Sequence, residues 1–349
     1  MTDGTTDREA DDGLPRWRDP AWRAEILSWA FDRLAIEGLR PTGQPEQVKA
    51  RPWSTVFRLP TAAGPTWLKA NAAGSRYEAS LVSALARWVP DQVVPPVAVE
   101  PAEGWLLMRD GGPTLQSVLA SSGRGGDLAA WERLLVEHAQ LQRIVETHVP
   151  ELLSLGVPDN RPHVLPALRE DLLSGHSALR LGQDGGPSNE EHEALRKMGR
   201  ALAGACAALD ALGVPDSIEH DDLHDNNVFA PKRPGQPMRV FDWGDAVVGQ
   251  PFMVLHVLLG TVAEVAQLAD GAPQLLRLRD AYLDAWTDVA SLDDLKEGAR
   301  LANRAVGVVR AASWRRALCE ATLAGRARWE DRIVGWLGQE PAYVLERAL

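Results

Sequence analysis

The sequence predicts an α+β protein in two parts: a smaller N-terminal part of short strands around one main helix, and a larger, mainly helical C-terminal part. Three observations point there. Residues 46–110 hold short β-branched and aromatic runs separated by Pro and Gly. Beyond Gly111, apolar residues recur at helical spacing. One polar island with strand signals, residues 218–245, interrupts those helices. At 349 residues the chain is long for one simple core and suits two lobes.

The elements follow in order. Residues 1–20 read as a disordered tail, because charged and small polar residues dominate its start. From Ala21 to Glu37, Trp22, Ile26, Trp29, Phe31, Leu34 and Ala35 step near helical spacing and predict an amphipathic leading helix. With that helix, the first lobe spans residues 21–110. Its runs STVFRL, TWLKA, VAV and WLLM predict a hairpin, a further strand and two later strands. A helix over 75–88 interrupts them. It opens on Ser75-Arg76-Tyr77-Glu78, a capping-box pattern, and carries Tyr77, Leu81, Val82, Leu85 and Trp88 on one face. The helical lobe spans 111–349, with candidate helices over 129–149, 189–212 (ended by Gly213), 252–268, 273–289, 293–321 and 324–347. SSGRGG (121–126) and GQDGGPS (182–188) read as loops.

Composition narrows the function classes. Net charge is −11, which argues against binding a nucleic-acid backbone. The two cysteines, Cys206 and Cys319, form no CxxC pair or disulfide framework and suit a reducing cytoplasm. The acidic, polar start is unlike a signal peptide. The most apolar stretch, 251–269, carries His256 and Glu264 and predicts no membrane span. The reading is a cytoplasmic protein with a small-molecule partner.

The island reads Glu219-His220-Asp221-Asp222-Leu223-His224-Asp225-Asn226-Asn227-Val228-Phe229, followed by Phe241-Asp242-Trp243-Gly244-Asp245. VFA and MRVFDW predict two strands of a hairpin turned by KRPGQP, which sets Asn227 and Asp242 at strand ends that could face one site. Phosphoryl transfer needs such a set. Oxygen ligands must hold Mg²⁺ against the phosphates, and a further carboxylate must orient the attacking hydroxyl and take its proton. Asp222 can be that carboxylate, with Asn227 and Asp242 as ligands.

HDDLHDNNVF followed by VFDWGDA resembles the aminoglycoside phosphotransferase and choline kinase family, whose pattern is H-G-D-L-x-x-x-N-[IV]-[LF] and then [IV]-D-[WFL]. The resemblance implies a bilobal protein-kinase-like fold with an antiparallel N-lobe sheet, and the use of ATP and Mg²⁺. It implies Asp222 as catalytic base, Asn227 and Asp242 as Mg²⁺ ligands, and His220 as a support of the loop, with His224 beside it. At Asp221 the chain departs from the family's Gly, in a turn where Asp accepts positive φ less readily. Trp67-Leu68-Lys69-Ala70 matches the strand of the family's phosphate-binding lysine; only five of the 37 basic residues are lysines. Glu78 is its expected partner. Leu106-Leu107-Met108-Arg109-Asp110-Gly111-Gly112 resembles the hinge, where the Arg109 carbonyl and Gly111 amide would meet adenine. The resemblance covers about residues 45–260, and the expected site is the cleft between the lobes.

Other readings stand beside these. His220 and His224 have H-x₃-H spacing, which fits zinc on a helix. Lys69 could be a snorkelling edge-strand lysine, and the capping box alone accounts for Glu78. In the turn Arg51–Thr55, Ser54 and Thr55 could cover phosphates, although no G-x-G-x-x-G is present and a plain hairpin turn fits as well. Trp286, Trp314, Trp329 and Trp336 read as core before substrate platforms. The acceptor is open: an aminoglycoside-like antibiotic, an amino sugar or a related metabolite fits the negative charge and Asp221, Asp225 and Asp245. No A-P-E segment follows Asp242, which argues against a protein substrate. The alternative from another class is a catalytically weak nucleotide-binding regulatory module on the same fold.

Overall fold

In the computed structural model, which describes residues 13–121, 123, 126–175, 179, 181–182, 187–329 and 331–338, the chain divides into two units. The first takes the described residues up to Ala79, Pro96–Asp110 and Arg316–Trp329. The second takes Ser80–Pro95, the described residues from Gly111 to Arg315, and those after 330.

The first unit opens with helix α1, Pro20–Ile36. Pro20 sits in the first turn, where its missing N–H costs nothing, and the Asp19 carboxylate accepts from the Ala21 amide at 2.8 Å. Strands β1 (Glu46–Ala50), β2 (Ser54–Thr61) and β3 (Gly64–Asn71) follow. After the helix α2 (Glu78–Trp88) come β4 (Pro96–Glu100) and β5 (Trp105–Arg109). They form an antiparallel sheet of order β1-β2-β3-β5-β4. Ile26, Ala30 and Leu34 of α1 share a core with Phe57, Leu59, Leu68, Ala70, Trp105 and Leu107 of the sheet. Each large side chain so buried contributes about 1.5–3 kcal/mol. Leu68 and Ala70 enter this core, so the period-2 strand turns Lys69 to the other face.

Three expectations change here. The tail was expected to run to residue 20; residues 1–12 lie outside the described residues, but Leu14 and Trp17 are buried and the Trp17 indole donates to the Arg51 carbonyl at 2.8 Å. A buried indole with its N–H satisfied anchors a chain that composition alone marks as tail. Second, Arg316–Trp329 belongs with the sheet rather than the helical lobe. The Ala73 amide donates to Glu320 at 2.7 Å, and Trp53 and Trp329 meet edge to face at 5.4 Å. Third, α2 starts at Glu78, not at Ser75, which lies in a short 3₁₀ turn.

The second unit holds the rest of α2, then α3 (Leu115–Ser121), α4 (Leu128–Val145), α5 (Val149–Ser154), β6 (Asp159–Asn160) and α6 (Leu165–Ser174). The expected helix over 189–212 is two, α7 (Asn189–Lys197) and α8 (Gly199–Leu212). Ser188 and Glu191 form a capping box on α7, and Gly213 ends α8 at φ +75°, the left-handed cap a glycine accepts without strain. The island supplies β7 (Ser217–Glu219), β8 (Val228–Phe229), β9 (Arg239–Val240) and β10 (Val247–Gly249). The predicted β8–β9 hairpin is present, with Val228 opposite Val240. The sheet β6-β10-β7 has no counterpart in the sequence reading. Then come α9 (Val254–Val265), α10 (Pro273–Leu283) and α11 (Leu292–Ala317); α12 (Leu323–Ala327) belongs to the first unit, and α13 (Asp331–Gly338) to the second. The last predicted helix extends beyond the described residues. Among the described residues, no helix is long and apolar enough to cross a membrane.

Candidate active site

The loop between β7 and β8 is built on buried supports. His220 is fully buried against the Trp243 ring (4.7 Å), and its Nε2 donates to the Phe241 carbonyl at 3.0 Å. Burial lowers its pKa, so it is a neutral brace between the loop and the strand leading to Asp242. The zinc alternative loses its first ligand to this role. Among the described residues, no three His, Cys, Asp or Glu side chains gather to hold a metal.

Asp221 has φ +63°, in the left-handed region that favours glycine. Its contacts offset that strain. The Asp221 amide donates to Glu219 Oε1 at 2.8 Å, and its carboxylate accepts from the Ser313 hydroxyl at 2.5 Å. Burial first, then the charge of Asp221, pushes the Glu219 carboxyl well above the usual carboxylate range.

Asp222 Oδ1 lies 3.2 Å from Arg310 Nη2, and Oδ2 lies 3.6 Å from His224 Nε2. Arg310 also donates through Nη1 to the Asp221 carbonyl. Burial pushes the Asp222 carboxyl up, but Arg310 and His224 outweigh it and hold Asp222 below the usual carboxylate range. Burial pulls His224 down, yet its bond to Asp222 and the charges of Asp222, Asp225 and Asp242 leave it raised.

Asn227 is also tied to this loop. Its Nδ2 donates to the Asp222 carbonyl at 2.9 Å, and its own carbonyl accepts from the Phe241 amide at 3.0 Å. With the amide nitrogen so used, Oδ1 is the atom left to meet a cation. Asp242 follows at the end of β9, also left-handed, at φ +63° and ψ +59°. Burial, then Asp222, Asp221 and Asp242, push the Asp245 carboxyl up to about 7. The loop thus gathers Asp222 and Asn227 directly and brings Asp242 to it through the hairpin. The donors toward a cation are oxygens only, the set Mg²⁺ takes when it keeps phosphate and water as its other ligands.

In the first unit, Lys69 Nζ meets Glu78 Oε2 at 2.6 Å, with side chains 9% and 1% exposed. Asn71 Nδ2 donates to the same oxygen at 2.8 Å. Glu78 therefore answers Lys69 rather than closing a capping box, and Lys69 is no snorkelling surface lysine. Thr55 is buried, and its hydroxyl donates to the Lys49 carbonyl at 2.8 Å while accepting from Gln47. Ser54 is buried at the start of β2, opposite Asn71. Arg109 ends β5 with its guanidinium 4.0 Å from Glu37.

Gly111 begins the second unit. Its carbonyl accepts from Arg239 Nη2 at 2.8 Å, and the Phe229 ring, stacked on Phe241 at 4.1 Å, lies where a Cβ would stand. Gly111→Ala is expected to lower stability by about 1–3 kcal/mol through overpacking, read by chemical denaturation; unchanged stability would show that the ring moves aside freely. Sequence reasoning missed Arg310 and Ser313, which sit in α11 with no local pattern to mark them.

No family model matches the chain, and no curated protein matches it. Solved structures do. A choline/ethanolamine kinase family protein from Mesorhizobium loti is 17% identical at a TM-score of 0.53, over 89% of this chain and 93% of that one. An ethanolamine kinase from Plasmodium vivax is 8% identical at a TM-score of 0.58, over 91% and 89%. A macrolide 2'-phosphotransferase type I is 14% identical at a TM-score of 0.52, over 86% and 94%. The chain shares the α+β, protein-kinase-like fold of these small-molecule kinases.

Proposed function

We propose that the protein is an ATP- and Mg²⁺-dependent phosphotransferase acting on a hydroxyl of a small molecule, an aminoglycoside-like antibiotic, amino sugar or related metabolite. The observation that carries this reading is the Asp222–Asn227 loop: a carboxylate held ionised, and an amide turned so that its oxygen is left for a cation. Asp222 orients the acceptor hydroxyl and takes its proton as the O–P bond forms and ADP leaves. Asn227 and Asp242 would hold Mg²⁺, which neutralises charge on the phosphates when bound. Lys69, braced by Glu78, contacts the α- and β-phosphates. The backbone of Arg109 and Gly111 meets the adenine. Positioning and charge neutralisation supply most of the rate.

The test is Mg·ATP-dependent ADP release against a panel of hydroxyl compounds, with the phosphorylated product identified. Nucleotide binding without release for any acceptor would favour the regulatory-module alternative. Asp242→Ala is expected to lose Mg²⁺-dependent ATP binding by about tenfold or more, read by calorimetry with and without Mg²⁺. Unchanged metal dependence would refute the ligand assignment.

A further inference from the structure

Composition invites a cationic acceptor, because Asp221, Asp222 and Asp225 crowd one loop and Asp245 follows the β8–β9 hairpin. The contacts spend that charge internally. Asp221 is 3% exposed, bonded to Ser313 and 3.7 Å from Arg310 Nη1. Asp225 is 3% exposed, beside Gln116 and His224. Asp222 has Arg310 on one oxygen and His224 near the other. Resting on the phosphotransferase reading, we propose that Arg310 positions Asp222 for the acceptor hydroxyl and that the acceptor carries no ammonium group beside that hydroxyl.

Arg310 is held from several directions. Nη1 donates to the Asp221 carbonyl, Nη2 meets Asp222, and the guanidinium carbon lies 5.1 Å from the centre of the Trp336 ring. Its side chain is 13% exposed, and Nε has no hydrogen-bond partner within the described structure. A guanidinium fixed this way cannot leave Asp222 without also leaving Asp221 and the ring. It aims the carboxylate, and it stays charged at any working pH. A hydroxyl reaching Asp222 therefore arrives beside a permanent positive charge. An ammonium on the neighbouring carbon would meet that charge, and the Asp222 oxygen that might attract it is already paired with Arg310. Near the reacting hydroxyl, an uncharged group fits this surface.

The reaction balances without any further co-reactant. The acceptor oxygen bonds to the γ-phosphorus, the bond to the bridging oxygen breaks, the hydroxyl proton passes to Asp222, and ADP leaves.

The experiment compares matched acceptors with and without an amine next to a hydroxyl: glucose with glucosamine, glycerol with 2-aminopropane-1,3-diol, and scyllo-inositol with scyllo-inosamine. In the wild type the uncharged member should have the higher kcat/KM, by about tenfold or more. Arg310→Met should lower kcat for that member by about 10- to 100-fold through loss of aim. KM for ATP should stay within about twofold, and the preference against amines should shrink. Arg310→Lys, which keeps the charge but not the fork, should keep the preference while losing part of kcat. If Arg310→Met does not fold, the wild-type ratio and Arg310→Lys still decide. A wild type that prefers the amine, that turns over no uncharged acceptor, or an Arg310→Met enzyme with wild-type kcat and preference overturns the proposal. Failure to bind Mg·ATP at all, by calorimetry, would instead sink the phosphotransferase reading beneath it.

Discussion

Asp222→Asn is expected to reduce turnover by about 10²- to 10⁴-fold while leaving Mg·ATP affinity nearly unchanged. The amide is isosteric, but it cannot accept the hydroxyl proton. Asp222 is about one third exposed, and Arg310 keeps Asp221 as a partner, so the loop should survive the change. Single-turnover measurement of ADP release, with nucleotide affinity measured separately, separates the two quantities. Wild-type turnover would remove Asp222 from the reaction. Collapse of the fold would assign it a structural part in the α11 cluster instead.

The second large effect concerns the buried pair in the first unit. Removing Lys69 leaves the Glu78 carboxylate inside the protein with Asn71 as its remaining described donor partner at that oxygen. Breaking a buried pair from one side costs about 3–5 kcal/mol. Lys69→Met is therefore expected to lower the unfolding midpoint clearly and to weaken ATP binding. The double variant Lys69→Met with Glu78→Leu separates the two roles. Two apolar side chains remove the uncompensated charge and should restore much of the stability, but they restore no cation for the phosphates. If the double variant regained nucleotide binding along with stability, Lys69 would be a structural residue only. If Lys69→Met alone were as stable as the wild type, the pair would not be the buried contact its geometry describes.

Much of the fold and of the candidate site is written locally in the chain. β2 and β3 carry β-branched and aromatic runs bounded by turn residues, and α1 and α8 carry regular apolar spacing with clear end signals in Asp19, Pro20 and Gly213. The segment from His220 to Asn227 is short enough that residue order alone sets which groups it carries: the proposed base, its neighbouring histidine and the amide. Lys69 stood out because lysine is scarce and its neighbours are apolar. Such features depend on backbone periodicity and on near neighbours, and so the amino-acid order determines them.

Tertiary structure decided what depends on residues far apart in sequence. Arg310 meets Asp222 across 88 positions, and Ser313 meets Asp221 across 92, from a helix whose spacing reports only that it is amphipathic. Which of its arginines turns toward the loop is set by packing. The same holds for Glu78, which looks like a cap until Lys69 arrives from the neighbouring strand. It holds for the two-residue strand β6, too short to show a period, and for Trp17, whose indole finds the Arg51 carbonyl. By itself the sequence determined most of the strands and helices and the residue types of the candidate loop. The fold decided which charges are spent inside it, because pairing depends on distances that only packing brings about.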